Sequence, residues 1–301
     1  MPDVDRRKPG SPDLVAMNYT EQALSFDCAG ERLLGIVAQP ESPKATGLLI
    51  VVGGPQYRVG SHRQFVLLSR ALAAAGYFVM RFDHGGSGDS SGAPLDFQAL
   101  NNNFSAAIDA FQVQCPSVKN VVLWGLCDAA SASLLYLDAT HDPRVTGLVL
   151  LNPWVRSEIS LAKTRIKHYY GQRLLQADFW RKLLTGNLGL VQAIQGFTDN
   201  LKKTRETSIS VVNHEALPFQ QRMARGLETF SGQVLFILSG NDYTAKEFLE
   251  VAAERSWAAI LGQSRIQKTN IPEADHTFST AEWRHLVEKI TQKWLEESHG
   301  R

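Results

Sequence analysis

Apolar runs of strand length alternate along this chain with segments in which apolar residues recur at helical spacing. A run that is apolar at nearly every position indicates a strand buried on both faces of a parallel sheet, because neither face of such a strand meets water. Five runs of this kind occur, at residues 47–52, 77–82, 120–124, 145–151 and 233–238. Helical periodicity is found at residues 64–75, 96–114, 128–138, 245–255 and 280–297.

Three further strands complete the predicted sheet. Two of them, at residues 23–27 and 33–38, are joined by a Gly-containing turn and predict a hairpin. A weaker strand is predicted near residues 264–268, before the last helix. Strand and helix alternate over most of the chain, and with right-handed crossovers this order predicts an α/β fold with an eight-stranded, mostly parallel sheet and helices on both faces.

One long segment interrupts the alternation. Residues 155–229 contain no convincing strand, and they are helical, basic and aromatic. Because the α/β pattern resumes after residue 230, we expect a helical cap inserted into one core, which consists of residues 19–154 and 230–301. Residues 1–18 are polar and lack the apolar segment of a signal peptide, so we expect a disordered tail there.

The composition narrows the choice of partners and compartment. The formal net charge is +1, which favours neither nucleic acid nor an anionic membrane surface. No apolar run reaches the roughly 18 residues that a membrane-spanning helix needs. The three cysteines, Cys28, Cys115 and Cys127, are too few and too far apart for a disulfide framework or a metal site, so we expect reduced thiols in a cytoplasmic protein.

Cys127 lies where an apolar strand turns abruptly into a helix of small residues. Such an elbow raises its central side chain above the sheet, and it needs small residues two positions to either side because the backbone is sharply bent. Gly125 and Ala129 meet that requirement. A cysteine at a turn is most often a small buried hydrophobic residue, but the preceding strand and these two neighbours favour a nucleophile.

A catalytic thiol needs a base within reach, and the base needs an acid that orients it. Asp242 and His276 lie in the loops that follow the last two predicted strands. Because catalytic groups of such folds collect at the carboxyl ends of the strands, we expect both residues to meet Cys127. Two alternatives stay open, with His84 as the base and Asp275 as the acid.

The tetrahedral intermediate of acyl transfer carries an oxyanion, which backbone N–H groups commonly bind. The N–H of Asp128, at the start of the helix after Cys127, is one expected donor. The other should come from the loop after strand 47–52, where Pro55 has no N–H and Gly54 is therefore the better candidate. The Asp128 carboxylate opposes formation of a neighbouring thiolate, whereas the helix N-terminus favours it.

This arrangement resembles the α/β-hydrolase superfamily over residues 21–298, in which the triad also follows the order nucleophile, acid, histidine. Two departures are specific: Val52 stands where many members have His, and Cys127 replaces the common Ser. The resemblance implies the α/β-hydrolase fold. It rests on Gly53-Gly54-Pro55, the stretch from Arg81 to Ser90, the elbow at Cys127, Asp242, and Asp275-His276-Thr277-Phe278.

A narrower resemblance is to the exosortase A system-associated hydrolase type 1 family. The stretches that look like this family are residues 52–58, residues 124–129 and residues 168–173. The resemblance implies an association with bacterial loci for exopolysaccharide and for the sorting of PEP-CTERM proteins, and it does not supply a substrate.

These features predict a hydrolase that cleaves an ester or thioester of a free or carrier-bound small molecule through an acyl-Cys127 intermediate. An acyltransferase with the same triad is an alternative, because a thioester intermediate keeps the acyl group activated. A catalytically silent accessory or binding protein is a second alternative. No cofactor is predicted, since the Gly-rich stretch 85–88 lacks the Lys-Ser/Thr pair of a phosphate-binding loop.

Overall fold

The computed structural model describes residues 18–156 and 217–299, and within these ranges eight strands form one sheet. The predicted tail lies outside the described residues except for Asn18, and so do residues 157–216 of the predicted cap. The strands are β1 Tyr19–Cys28, β2 Glu31–Pro40, β3 Thr46–Val51, β4 Phe78–Asp83, β5 Asn120–Leu126, β6 Val145–Leu151, β7 Gln233–Ser239 and β8 Ile266–Ile271.

The sheet is mostly parallel, which confirms the predicted fold class. Its strand order is β1-β2-β4-β3-β5-β6-β7-β8. β2 pairs antiparallel with both β1 and β4, and every other neighbouring pair is parallel. Every residue of β3 and β4 is buried, which accounts for their continuous apolar sequence. The parallel strands therefore end together at one edge of the sheet.

Helices cover both faces of this sheet. On one face α1 and α7 pack through side chains such as Phe65 and Trp294, and on the other α2 to α6 pack through side chains such as Phe111 and Phe248. The sheet thus lies between two hydrophobic cores. The helices are α1 Gln64–Ala74, α2 Asn101–Gln114, α3 Asp128–Thr140, α4 Phe219–Thr229, α5 Tyr243–Ala252, α6 Arg255–Leu261 and α7 Ala281–His299.

Several boundaries differ from the sequence prediction. The predicted helix at 96–114 begins only at Asn101, because Asp96 accepts a hydrogen bond from the Gln98 N–H at 2.9 Å and caps a separate 3-10 turn. The predicted helix at 245–255 corresponds to α5, which ends at Ala252, and α6 follows as a helix that was not predicted. The last strand also lies later than predicted, because Ile266 pairs with Val234 of β7 and the pairing continues to Ile271.

Helix α4, within the predicted cap range, packs on α3 in the helical layer of the core. An ion pair joins the two helices, because the Nε atom of Arg225 on α4 lies 2.5 Å from Oδ1 of Asp138 on α3. Gly226 allows the close approach, because a Cβ at this position would collide with the carbonyl oxygen of Leu134. The two helices can approach closely only while position 226 carries no side chain.

Gly226→Ala should therefore destabilise the protein. The collision is with backbone, which cannot rotate away, so we expect the free energy of unfolding to fall by about 1–3 kcal/mol despite the roughly 1 kcal/mol that alanine gains in helix propensity. Urea unfolding measures this change. Gly262→Ala is the matched control, because a Cβ there meets nothing closer than 3.5 Å. Equal stability of the two variants would contradict the packing argument.

Candidate active site

Cys127 occupies the sharp turn between β5 and α3. Its backbone has φ 63° and ψ −124°, a conformation that a residue with a side chain rarely adopts. Hydrogen bonds hold this conformation from two sides. The Cys127 N–H donates to the carbonyl oxygen of Leu151 at 2.8 Å, and the Cys127 carbonyl accepts from the Ala130 N–H at 3.1 Å. The rest of the fold therefore imposes the turn.

Packing requires a glycine two residues before Cys127. A Cβ at Gly125 would lie 2.7 Å from the Ala129 carbonyl carbon, too close for any side chain.

Of the three thiols, Cys28 and Cys115 are buried, whereas Cys127 is partly exposed. Burial raises the pKa of Cys28 and raises that of Cys115 to about 11, so neither buried thiol is disposed to ionise.

His276 and Asp242 meet across the carboxyl edge of the sheet. The Nδ1 atom of His276 lies 2.9 Å from Oδ2 of Asp242. Asp242 follows β7 and caps α5, where its carboxylate accepts hydrogen bonds from the N–H groups of Thr244 at 3.2 Å and Ala245 at 3.1 Å. The cap fixes the carboxylate in the orientation that it presents to the imidazole ring.

Charge and hydrogen bonding favour the protonated form of His276. The hydrogen bond with Asp242, followed by one with the Cys127 side chain, raises the pKa of His276 to about 10 against the opposing effect of burial. Burial raises the pKa of Asp242, but the hydrogen bonds with His276 and with the N–H groups of α5 outweigh it, and the net shift is downward. Both the Asp242 carboxylate and the Cys127 side chain thus favour the imidazolium form of His276.

The raised pKa of His276 predicts a pH dependence of stability that Asp242→Asn should weaken. Because folding raises the pKa of His276 from 6.5 to about 10, its contribution is fully present below pH 6.5 and is lost as the pH rises toward 10. Urea unfolding between pH 6 and pH 10 should show a shallower fall for Asp242→Asn than for the unaltered protein.

The control for this experiment is Asp96→Asn, which alters another helix-capping carboxylate without touching His276. Its unfolding free energy should keep the pH slope of the unaltered protein. An Asp242→Asn protein with that same slope would show that Asp242 does not set the protonation of His276.

Asn152 is a buried residue at this edge that sequence reasoning missed. Its side-chain Nδ2 donates to Ser239 Oγ at 2.8 Å and to the His276 carbonyl at 3.1 Å, and its Oδ1 accepts from the Ser239 N–H at 2.8 Å. Asn152 therefore ties the ends of β6 and β7 to the loop of His276. Its position directly after a buried strand was the available signal, since polar residues at that edge are placed for function.

The loop after β3 is held by a second polar cluster. Arg58 forms ion pairs with the buried Asp83 and with Asp89, and its N–H also donates to Asp83 at 2.6 Å. The hydroxyl of Ser87 donates to the Gln56 carbonyl at 3.1 Å. The Gly/Ser-rich loop after β4 thus serves here as a brace for the loop that carries Gly54.

The two residues predicted to supply oxyanion donors contact each other. The Gly54 N–H donates to Oδ2 of Asp128 at 2.8 Å, so in this structure the Gly54 donor is already engaged within the protein. Asp128 begins α3, as predicted, and its own N–H lies at the helix N-terminus. The carboxylate of Asp128 therefore contacts the Gly54 donor directly. The sequence had indicated only its electrostatic effect on a neighbouring thiolate.

The alternative acid and base have other partners. The buried His84 lies with Nδ1 3.2 Å from the Gly85 carbonyl. Asp275 accepts hydrogen bonds from the N–H groups of Thr277 at 3.2 Å and Ser279 at 3.0 Å, which fold its own loop. Of the four candidates, His276 and Asp242 are joined to each other by a hydrogen bond, and the Cys127 side chain contributes to the raised pKa of His276.

The described ranges contain neither a candidate metal site nor a candidate membrane-spanning helix. Within residues 18–156 and 217–299, no group of three His, Cys, Asp or Glu side chains is placed to hold a metal ion. No helix of those ranges combines the length and the apolar character of a membrane span.

Solved structures share this fold across nearly the whole chain. Esterase Pf2001 of Pyrococcus furiosus has a TM-score of 0.61 at 15% identity, with 97% of this chain and 98% of that chain covered. Est1E of Butyrivibrio proteoclasticus, solved with ferulic acid, has a TM-score of 0.60 at 15% identity, with 92% and 100% covered. The acylaminoacyl peptidase of Pyrococcus horikoshii has a TM-score of 0.60 at 13% identity, covering 94% of this chain and 42% of that chain.

Sequence comparison identifies the family. No curated protein matches the chain. The family described as serine aminopeptidase S33 matches residues 44–277, a range that includes the elbow at Cys127 together with Asp242 and His276. The match covers well over half of the sequence, and the eight-stranded sheet agrees with it. The chain is therefore an α/β hydrolase and belongs to the serine aminopeptidase S33 family.

Proposed function

We propose that this enzyme hydrolyses an ester or thioester through an acyl intermediate on Cys127. The observation that carries the proposal is the hydrogen bond between Asp242 and His276 at the carboxyl edge of the sheet, with the Cys127 side chain as the other neighbour that raises the pKa of His276. One structural neighbour, Pf2001 of Pyrococcus furiosus, is an esterase, which supports an ester as the bond class. Cys127 stands where the family name leads one to expect a serine.

The proposed reaction assigns one role to each of Cys127, His276 and Asp242. The thiol proton of Cys127 passes to His276 as the sulfur bonds to the acyl carbon, and His276 then donates a proton to the leaving group. Asp242 holds the Nδ1 side of the ring and stabilises the imidazolium. Because the pKa of His276 is raised to about 10, its ring holds the transferred proton until the leaving group departs.

The oxyanion of the tetrahedral intermediate needs hydrogen-bond donors near the sulfur. We assign the N–H of Asp128 and, once it is released from the Asp128 carboxylate, the N–H of Gly54. Removing one such donor commonly lowers the rate about 10²–10³-fold. The brace of Arg58 and Asp83 keeps the Gly54 loop in place before substrate arrives.

The proposed cellular setting is an exosortase or exopolysaccharide locus. This part rests on the motifs at residues 52–58, 124–129 and 168–173, the last of which lies outside the described residues. The basic and aromatic cap sequence is compatible with an anionic or carrier-bound acyl substrate. The identity of neighbouring genes tests the setting independently of the chemistry.

The decisive experiment is to trap the acyl group by intact-mass spectrometry. The enzyme is mixed with a panel of simple esters, acyl-CoA thioesters and acyl-carrier thioesters, with and without amine, alcohol or thiol acceptors. We expect an adduct of one acyl group on Cys127 and release of the free acid. Product that forms only in the presence of an acceptor would establish an acyltransferase, and the absence of any adduct across the panel would refute the acyl-enzyme route.

A further inference from the structure

The Asp128 carboxyl lies between the elbow and the loop that follows β3. Its Oδ2 accepts the Gly54 N–H at 2.8 Å. Its Oδ1 is buried against Gly53, where a Cβ would collide with it, and it makes no hydrogen bond with any residue in the described ranges. One carboxyl oxygen thus engages a backbone donor while the other is packed into the protein.

Backbone N–H groups lie near the Asp128 carboxyl, and such groups also stabilise the anion in an oxyanion site. Burial raises the pKa of Asp128, and the N–H groups of Gly54, Ala129 and Asp128 itself act in the opposite direction. Two of these three amides are the donors assigned above to the oxyanion. The carboxyl thus already accepts the hydrogen bond of the Gly54 N–H, one of the two donors assigned above to the oxyanion.

We propose that the Asp128 carboxyl fills the oxyanion site of the free enzyme and that the substrate carbonyl oxygen must displace it from the Gly54 N–H before Cys127 can be acylated. The inference rests on the function proposed above. A single N–H cannot serve both acceptors well, and a carboxylate is the stronger acceptor of the two. Its negative charge beside a developing oxyanion would also destabilise the transition state.

The local structure allows the displacement. A Cβ built on Gly54 would meet nothing within 4 Å, so there is open space beside the Gly54 end of the contact. The Asp128 side chain has two rotatable bonds, and burial of its carboxyl without a partner for Oδ1 weakens its hold on the site. Asp128 gains and loses no atom in the step. The sulfur–carbon bond forms, the bond to the leaving group breaks, and the thiol proton reaches the leaving group through His276.

The test compares acylation with alkylation of the same thiol. Alkylation by iodoacetamide needs no oxyanion donor, whereas acylation by p-nitrophenyl acetate does, so their ratio separates the oxyanion site from general thiol reactivity. Asp128→Ala empties the site, and we expect its acylation rate to rise about tenfold or more relative to alkylation, a part of the range that one donor contributes. Asp128→Asn keeps an acceptor for the Gly54 N–H but removes the charge, and we expect an intermediate ratio.

Each outcome decides the proposal. An acylation-to-alkylation ratio that is unchanged or lower in Asp128→Ala, with thermal unfolding like that of the unaltered protein, overturns it. If Asp128→Ala does not fold, the nearly isosteric Asp128→Asn decides alone, because a ratio no higher than that of the unaltered protein again overturns the inference. Alkylation without acylation in all three proteins would refute the acyl-Cys127 function itself, and the inference with it.

Discussion

Cys127→Ala is expected to abolish the acyl adduct that intact-mass spectrometry detects after mixing with an ester or thioester. The substitution removes the only partly exposed thiol of the chain while keeping the Cβ that the strained turn accommodates. No other cysteine can substitute, because burial raises the pKa of both remaining thiols. The prediction is therefore an all-or-none loss.

The matched control for this experiment is Cys28→Ala. Cys28 is a buried thiol at the end of β1, the outermost strand, which β2, β4 and β3 separate from the strand that leads to Cys127. This variant should form the adduct at the rate of the unaltered protein. An adduct that persists in Cys127→Ala would show that the nucleophile lies elsewhere.

His276→Ala has the second largest expected effect. It removes the base for the thiol proton and the acid for the leaving group together, and a general acid–base group commonly contributes about 10²–10⁴ in rate. We expect acylation at neutral pH to slow by that factor in stopped-flow measurements of p-nitrophenolate release. The three residues act as one unit, so Asp242→Asn should add little further loss in a His276→Ala background.

His84→Ala is the informative comparison. His84 is the alternative base that the sequence allowed. It is buried, and its Nδ1 atom lies 3.2 Å from the Gly85 carbonyl oxygen. We expect it to retain most of the acylation rate, with a change in thermal stability. A larger loss of acylation in His84→Ala than in His276→Ala would transfer the role of the base to His84.

Much of the fold could be predicted because the parallel strands are buried on both faces. Their apolar runs identify them without reference to any partner, and β3 is the clearest example. Helix boundaries were less accurate, since local capping decides them. Asp96 caps a short turn before α2 begins, and the segment after β7 divides into α5 and α6. Neither event alters the periodicity of apolar residues enough to be seen in the sequence.

The candidate residues Cys127, Asp242 and His276 could be selected because each directly follows a strand. Chain order and the parallel sheet place such residues at one edge without any knowledge of side-chain contacts. The contacts themselves were not predictable in the same way. Asn152 and Ser239 are separated by 87 positions, and Gly54 and Asp128 by 74, yet each pair is joined by hydrogen bonds. No local pattern encodes such a pairing.

The sequence by itself thus determined the α/β architecture, the elbow at Cys127 and the set of groups available for its chemistry. These follow from hydrophobic burial and backbone sterics, which act locally along the chain. Only the tertiary structure decided that Asp242, and not Asp275, binds His276, and that the Asp128 carboxyl engages the Gly54 N–H. Hydrogen bonds act over about 3 Å, so their partners are chosen by the packing that brings distant loops together.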